Sequence, residues 1–135
     1  MVSVVFILVV LAALGAALAG ISRRQHLASA SDLQAARAYQ AARAGIEWAA
    51  YWQFKVGRLT PSCMPTNTIV PGGTLSGFTV TLRCTLTSGT DGVTAVTFWT
   101  MVANACNAPS GGACPATGTV SETYVEREIA WTLVE

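Results

Sequence analysis

Charged residues are scarce in this chain. Only 11% of its 135 residues are Asp, Glu, Lys or Arg, whereas 52% are hydrophobic. Disordered chains show the opposite balance, with low hydrophobicity and high net charge, so disorder is excluded. The formal net charge of +1 excludes a strongly basic protein of the kind that binds polyanions. The length is too short for two large domains.

Recognisable catalytic motifs are missing as well. The sequence contains no GxSxG, Gly-rich phosphate loop, HExxH or ligand-spaced acidic cluster. Its one histidine, His26, is interpreted as a polar residue beside a membrane. On a strand, Glu122, Glu126 and Glu128 would share one face, and an exposed strand face explains that spacing. We therefore expect no enzyme activity, no cofactor and no metal.

A long uncharged and apolar run lies at the start of the chain. Residues 1–21 contain no charge, and Ser3 is their only ordinary polar residue. This length matches the ~20 residues with which a helix crosses ~30 Å of hydrocarbon. Residues 1–58 carry six basic and two acidic side chains, and residues 59–135 carry two basic and five acidic. We expect one membrane helix and a small, mildly acidic head that does not bind nucleic acid.

Helix-forming residues continue beyond the apolar run. Ala, Arg, Gln, Leu and Glu, which favour helices, are frequent, and no proline occurs before Pro61. Gly57 and Pro61 supply stop signals, so the sequence predicts one helix over about residues 1–55. A stripe at steps of three and four is expected to pack on the head; it consists of Ala35, Ala38, Ala42, Ile46 and Ala49. Trp48, Tyr51 and Trp52 are interpreted as a core or subunit contact.

Three segments follow from this division: 1–22 as the transmembrane or assembly half of the helix, 23–56 as its amphipathic half, and 57–135 as the head. Small residues in the first half allow close approach of partner helices. The residues expected to pack against lipid or such helices are Ser3, Phe6, Leu8, Leu11, Leu14, Gly15, Leu18 and Gly20.

Two other interpretations of the apolar segment stay open. Ala17-Leu18-Ala19 resembles a signal-peptidase site, but a basic region before the apolar run is missing. A simple anchor with a coiled stalk lacks large residues in heptads. A head outside the cytoplasm would place Arg23 and Arg24 on the outer side, against the positive-inside tendency. We therefore expect a basic leader before Met1.

The four cysteines all lie in the predicted head. An even number in a small domain behind an apolar segment indicates two disulfides in an oxidising compartment. A four-thiolate zinc site is the alternative, but no pair has the short CxxC spacing. Of three possible connectivities, Cys63–Cys84 with Cys106–Cys114 is favoured, because the second pair brackets the turn-rich loop Asn107–Ala113. Each bridge would contribute roughly 2–4 kcal/mol.

Alternating patterns predict the strands of the head. Gly77–Thr87 alternates apolar residues with threonine, Ser88–Gly92 has turn composition, and Val93–Ala105 supplies a second strand. Thr123–Val134 is the third. Its expected inward residues are Val125, Ile129, Trp131 and Leu133, with Arg127 interrupting them. The predicted fold class is α+β, with an antiparallel sheet on the second half of the helix and a threonine-rich face that is solvated or covered by neighbouring subunits.

Four segments carry a resemblance to a known family. They are FILVVLAALGA (Phe6–Ala16), ARAYQAARAGIEW (Ala36–Trp48), PGGTLSGFTVTLRC (Pro71–Cys84) and YVERE (Tyr124–Glu128). The chain resembles the type IV pilins, and among them the minor pilins of MSHA pilus biogenesis. The resemblance implies a leader that is cut before a phenylalanine, with Met1 about two residues inside the mature end. Ser3 then occupies the place where major pilins carry a glutamate.

The resemblance also implies a function and a location. The chain would be a structural minor pilin that acts in filament assembly or tip initiation, bound to other pilin subunits through its N-terminal helix and to the pilus assembly machinery. Before assembly it would cross the bacterial inner membrane once, with its head in the periplasm; after assembly it would lie in the extracellular pilus. Three alternatives stay open: a major shaft pilin, a type II secretion pseudopilin, and a membrane-anchored adhesion module that binds through the Cys106–Cys114 loop.

Overall fold

The computed structural model describes residues 2–56 and 62–134, apart from the side chains of residues 2, 21–24 and 27. The chain divides into two compact units, Met1–Leu33 and Gln34–Glu135. Helix α1 spans Val2–Tyr51 and contributes to both. A π-helical turn, Trp52–Val56, follows it. Helical winding therefore reaches the predicted end near residue 55, although its hydrogen-bond pattern changes after Tyr51. The predicted stop signals Gly57 and Pro61 lie outside the described residues.

The second unit contains a four-stranded antiparallel sheet of order β1-β2-β3-β4. The strands are β1 (Asn67–Ile69), β2 (Thr79–Asp91), β3 (Thr94–Cys106) and β4 (Glu126–Val134). Strand β1 pairs with residues 80–82 of β2 and was not predicted, because three residues are too few to show an alternating pattern. The predicted third strand is shorter than expected, since β4 begins at Glu126 rather than at Thr123.

The long hairpin between β2 and β3 corrects the predicted turn. Ser88–Asp91 belongs to β2 and pairs with Thr94–Thr97, so only Gly92 and Val93 form the loop. Gly92 has φ +62°, the left-handed conformation that tight hairpin loops require and glycine adopts easily. The interpretation of Ser88–Gly92 as a turn was wrong for its first four residues, because continuous pairing with β3 overrides their local turn preference.

The core of the second unit lies between α1 and one face of the sheet, which we call the helix-side face. Its centre is formed by Val80 and Leu82 of β2 and Met101 and Ala103 of β3, all at most 1% exposed. From the predicted alanine stripe, the residues in this core are Ala38, Ala42, Ile46 and Ala49. Ala35 is only half-buried, whereas Ala41, outside the predicted stripe, is fully buried.

Small residues on the helix bring its backbone close to the strands. Gly45 is buried, and a Cβ atom placed on it would lie 2.7 Å from Val80 Cγ1 and 3.0 Å from Leu82 Cδ2. Such a distance is too short for carbon atoms in van der Waals contact, which prefer about 3.5–4.0 Å. A helix packed on an antiparallel sheet by this face defines an α+β unit, and the predicted fold class is confirmed at that level.

Candidate functional site

The first candidate site is the apolar segment of α1. Its most apolar window, Ser3–Gly20, is long enough to cross a membrane, and none of it is buried within the structure. All eight residues predicted to pack against lipid or partner helices lie in this window and are exposed. Exposing a large aliphatic side chain to water forgoes about 1.5–3 kcal/mol relative to burial. The segment therefore needs an apolar surrounding, and its length and composition suit a membrane anchor or a signal sequence.

The two disulfides of the head are confirmed. Cys63–Cys84 joins the segment before β1 to strand β2, with a Cα–Cα distance of 5.5 Å. Cys106–Cys114 links the end of β3 to the loop that follows it, with a Cα–Cα distance of 5.8 Å. Because these bridges use all four cysteines, the zinc alternative is wrong. Cys106 and Cys114 are buried, whereas Cys63 and Cys84 are half-buried.

The second candidate site is the opposite face of the sheet, which we call the loop-side face. The chain between β3 and β4 folds back over part of it. The backbone N–H of Cys114 donates to Thr81 Oγ1 at 2.8 Å, and the N–H of Ala116 donates to the Tyr124 hydroxyl at 3.0 Å. The expectation of a threonine face that is open or covered by other subunits was therefore wrong at Thr81, which the protein's own loop buries.

Asn107 fastens the returning chain to the start of β4. Its Nδ2 donates to the carbonyl of Thr123 at 2.8 Å, and its Oδ1 accepts from the N–H of Val125 at 3.0 Å. At the far end of the loop, Ser110 and Ala113 exchange backbone hydrogen bonds across a tight turn. The loop bracketed by the second disulfide is thus pinned at both ends and internally paired.

A polar network on the same face is centred on Asn104, which pairs with Thr81 across the strands. Asn104 is 1% exposed, and its Nδ2 donates to Glu126 Oε1 at 3.2 Å and to Glu128 Oε2 at 2.7 Å. The Arg83 guanidinium donates to Asn104 Oδ1. The amide therefore joins one cation on β2 to two carboxylates on β4. This satisfies the buried polar group, which would otherwise cost roughly 1–3 kcal/mol.

Sequence analysis did not identify Asn104 as a key residue. It stands in the apolar strand β3, and the sequence signal was its position one residue out of phase with Met101, Ala103 and Ala105. That phase places Asn104 on the loop-side face. What covers this face is decided by the second disulfide, and no local pattern in β3 contains that information.

Tyr124 connects the loop to the network. Its hydroxyl donates to Glu126 Oε2 at 2.6 Å while accepting from Ala116. The pKa of Tyr124 is raised above its usual 10.0, first by burial of the ring and then by the hydrogen bond to the Glu126 carboxylate. Both effects favour the neutral phenol, because an ionised Tyr124 would lose solvation and face a negative charge.

The possible catalytic side chains weighed in the sequence were His26 and three glutamates. His26 is exposed on α1. Glu122 lies in the turn before β4, so it does not share a strand face with Glu126 and Glu128, contrary to the expectation. In the described part of the chain, no group of three or more His, Cys, Asp or Glu is placed to hold a metal ion.

The aromatic residues near the end of α1 have different environments. Trp52 packs partly against the core, whereas Trp48 and Tyr51 are exposed. The side chains of Arg23 and Arg24 lie outside the described residues. Comparisons of the chain with protein-family models, with curated proteins and with solved structures found no match in any of the three.

Proposed function

We propose that the protein is a structural subunit of a type IV pilus-like filament: a minor pilin of the MSHA-like kind that acts in filament assembly or tip initiation. The observation that carries the proposal is the two-part character of α1. Its first part exposes a charge-free apolar surface, and its second part packs an alanine face on a sheet held by two disulfides. This arrangement supports a subunit with a membrane-competent helix and a head suited to an oxidising compartment.

The proposed mechanism is the transfer of a helix between two apolar surroundings. In the inner membrane, the Ser3–Gly20 segment would be surrounded by lipid; in a filament, it would be surrounded by like helices. Lipid and packed helices are similarly apolar, so the transfer releases little hydrophobic free energy and depends on close packing. The small residues Gly15 and Gly20 have no neighbour within 4 Å and supply room for such an approach.

Ser3 favours a tip or initiation position within this proposal. A carboxylate buried in the membrane costs about 2.5–3.5 kcal/mol at the helix centre. The resemblance implies that the glutamate of major pilins offsets this cost by pairing with the N-terminal amine of a neighbouring subunit. The uncharged side chain of Ser3 requires no such partner and cannot form this ion pair. A subunit with serine at this position fits one that enters first better than one that repeats along a shaft.

Electron microscopy of a deletion strain tests the proposal. We expect few or no pili without the gene and normal numbers after complementation. Immunogold labelling of the head should be confined to filament ends. Labelling along whole filaments would instead favour the major shaft pilin, and normal pilus numbers in the deletion strain would contradict a role in assembly.

A secreted protein is the second candidate, because the same apolar window would also serve as a signal sequence. N-terminal mapping of the mature polypeptide by mass spectrometry distinguishes the two. The pilin proposal requires that residues 3–20 stay attached to the head and that the protein remains with membranes or filaments. A mature chain that begins at Gly20 and is soluble as a monomer would establish the signal-sequence alternative.

A further inference from the structure

Strand β4 forms one edge of the sheet. It pairs with β3 along its whole length, from Glu126 opposite Cys106 to Val134 opposite Phe98. Within residues 62–134, no strand lies on its outer side. A regular edge strand presents a row of unpaired backbone N–H and C=O groups, which is a template for another strand.

The second part of β4 lacks the features that usually protect such an edge. Protected edges carry charges, prolines, bulges or a very short strand. Ile129–Val134 contains no charge and no proline, and its pairing with β3 is continuous, without a bulge. All charges of β4 stand at its beginning, in Glu126, Arg127 and Glu128. Two of these, Glu126 and Glu128, are already bound to Asn104.

The opposite edge of the sheet is built differently. Strand β1 covers residues 80–82 of β2, and the Cys63–Cys84 bridge attaches a second segment next to it. The rest of β2, residues 85–91, is dominated by threonine, serine, glycine and aspartate. Of the two sheet edges in residues 62–134, the β4 edge is therefore the one that combines unpaired backbone groups with a run of apolar side chains.

The side chains of this edge are poised for contact with another strand. Ile129 and Leu133 pack partly against the core, but Trp131 between them is 44% exposed and Val134 is 60% exposed. Trp131 lies opposite Met101 and so belongs to the helix-side face. On this face Met101 is fully buried, whereas Trp131 remains partly exposed.

We propose that the outer edge of β4 pairs antiparallel with β4 of a second copy of this chain, around a two-fold axis at Trp131. In this register Trp131 lies opposite Trp131, Ile129 opposite Leu133, and Ala130 opposite Thr132. The helix-side face gains one aromatic pair and two aliphatic pairs, and such side-chain pairs across strands stabilise a sheet.

The uncharged segment Ile129–Leu133, with an aliphatic residue at each end and Trp131 at its centre, matches itself in an antiparallel pair and so favours a second copy of β4 as the partner. With the axis at Trp131, every residue of Ile129–Leu133 meets another member of the same uncharged segment. A shift of the axis by one residue, to Ala130, brings Glu126, Arg127 and Glu128 opposite Val134, Leu133 and Thr132. Self-pairing at Trp131 keeps Glu126 and Arg127 away from the uncharged segment and leaves Glu128 at its margin, opposite Val134. A shift of the axis to Thr132 would also keep these charges outside, but it would place Trp131 opposite Leu133 and remove the aromatic pair.

The proposal goes beyond the pilin function and does not depend on it. It concerns the head alone and would hold equally for a membrane-anchored protein with another role. A segment of six residues from each copy is small compared with stable interfaces, which bury about 1,200–2,000 Å². We therefore expect a weak dimer that becomes populated when the copies are concentrated in one membrane.

Cysteine cross-linking of the full chain in lipid nanodiscs or detergent tests the register. Directly opposed residues of antiparallel strands have Cα atoms about 4.5–5.5 Å apart, within the range of a disulfide. Trp131→Cys should form a disulfide-linked dimer on mild oxidation. Val93→Cys is the matched control, because Val93 is fully exposed at the hairpin loop and far along the strand pairing from Trp131.

The rate of cross-linking decides the outcome. We expect Trp131→Cys to react about tenfold faster than Val93→Cys or more, because pairing raises the effective concentration of the two thiols. Association through α1 alone would accelerate both variants and leave their ratio near one, which would overturn the proposal.

A charge-exchange experiment tests the same contact without cysteine. Trp131→Lys and Trp131→Glu should each be monomeric in the concentration range where the wild-type chain dimerises, because each places like charges directly opposite across the axis. Mixing the two variants should restore a heterodimer, as measured by sedimentation or by energy transfer between labelled copies. Trp131→Phe, which keeps an aromatic pair, should still dimerise and controls for folding. A mixture that stays monomeric would show that another partner, or none, occupies this edge.

Discussion

At the scale of single residues, the closest packing in the head is set by a missing side chain. Gly45 lies in the middle of a helix, where glycine is normally unfavourable by about 1 kcal/mol relative to alanine. Here the backbone passes so close to Val80 that no Cβ atom fits. Val80 is fully buried, and its β-branched side chain is stiff about χ1, so it cannot easily move aside.

We therefore expect Gly45→Ala to destabilise the head, although the same change stabilises most helices. Overpacking a core costs typically 1–3 kcal/mol, which exceeds the gain in helix propensity of about 1 kcal/mol. Thermal or denaturant unfolding of the full chain, followed by near-ultraviolet circular dichroism, measures the difference. Gly15→Ala is the matched control, because Gly15 has no neighbour within 4 Å. A Gly45→Ala variant as stable as the wild type would contradict the close approach.

Tyr124 leads to a second residue-scale expectation, on the dependence of stability on pH. The folded state raises the pKa of Tyr124 above its usual 10.0, so the folded protein holds the phenolic proton more tightly than the unfolded chain. The stabilisation is complete below pH 10 and is lost as the pH rises through the folded value. Tyr124→Phe should remove this component. Unfolding curves measured between pH 8 and pH 11 should fall less steeply for the variant, and parallel curves would disprove the effect.

At the scale of elements, the two disulfides have different tasks. Cys63–Cys84 spans 21 residues of sequence and attaches the segment before β1 to the sheet. Cys106–Cys114 spans only 8 residues but holds the loop that covers Thr81. In chain-entropy terms, the bridge that closes the longer loop should contribute about 1 kcal/mol more to stability. The bridge that closes the shorter loop should mainly keep that loop in place over Thr81.

This difference predicts distinct consequences for the two double variants. Cys106→Ala/Cys114→Ala should open the stretch 107–113 to limited proteolysis while the sheet stays folded, because the bridge and the Thr81 contact hold this loop together. Cys63→Ala/Cys84→Ala should leave the loop protected and lower the global free energy of unfolding by roughly 2–4 kcal/mol. Peptide mapping by mass spectrometry gives the cleavage sites. Equally slow cleavage of the loop in both variants would show that its hydrogen bonds hold it in place without the disulfide.

At the scale of the whole molecule, the proposed function depends on the apolar segment meeting other helices. Gly15→Leu keeps the segment apolar, so insertion into the membrane should be unaffected. A bulky side chain in place of a small residue should prevent close helix approach and reduce assembly. Membrane fractionation and pilus counts measure the two properties separately. Equal membrane levels with unchanged piliation would contradict the proposed role of the small residues.

The fold could be predicted where a strong period or a long composition signal was present. The helix over Val2–Tyr51 and the alternation of β2 belong to this class, because each depends on local spacing. The disulfide pairing could be predicted from the turn-rich loop between Cys106 and Cys114, which left Cys63 and Cys84 as the other pair. The polar cover of the loop-side face does not. Asn104 meets Glu126 and Glu128 from 22 and 24 residues away, and only the register of three strands and the path of the disulfide loop bring them together.

The long β2–β3 hairpin gives the sheet an uneven resistance to opening. Near Asn104 the strands lie between the helix and the disulfide loop, but Ser88–Asp91 and its partner strand are largely exposed on both sides. Local opening of the β2–β3 pairing should therefore be most frequent next to Gly92 and least frequent beyond Trp99, which is buried. The rate of amide hydrogen exchange should then increase along both strands from Trp99 toward the hairpin loop.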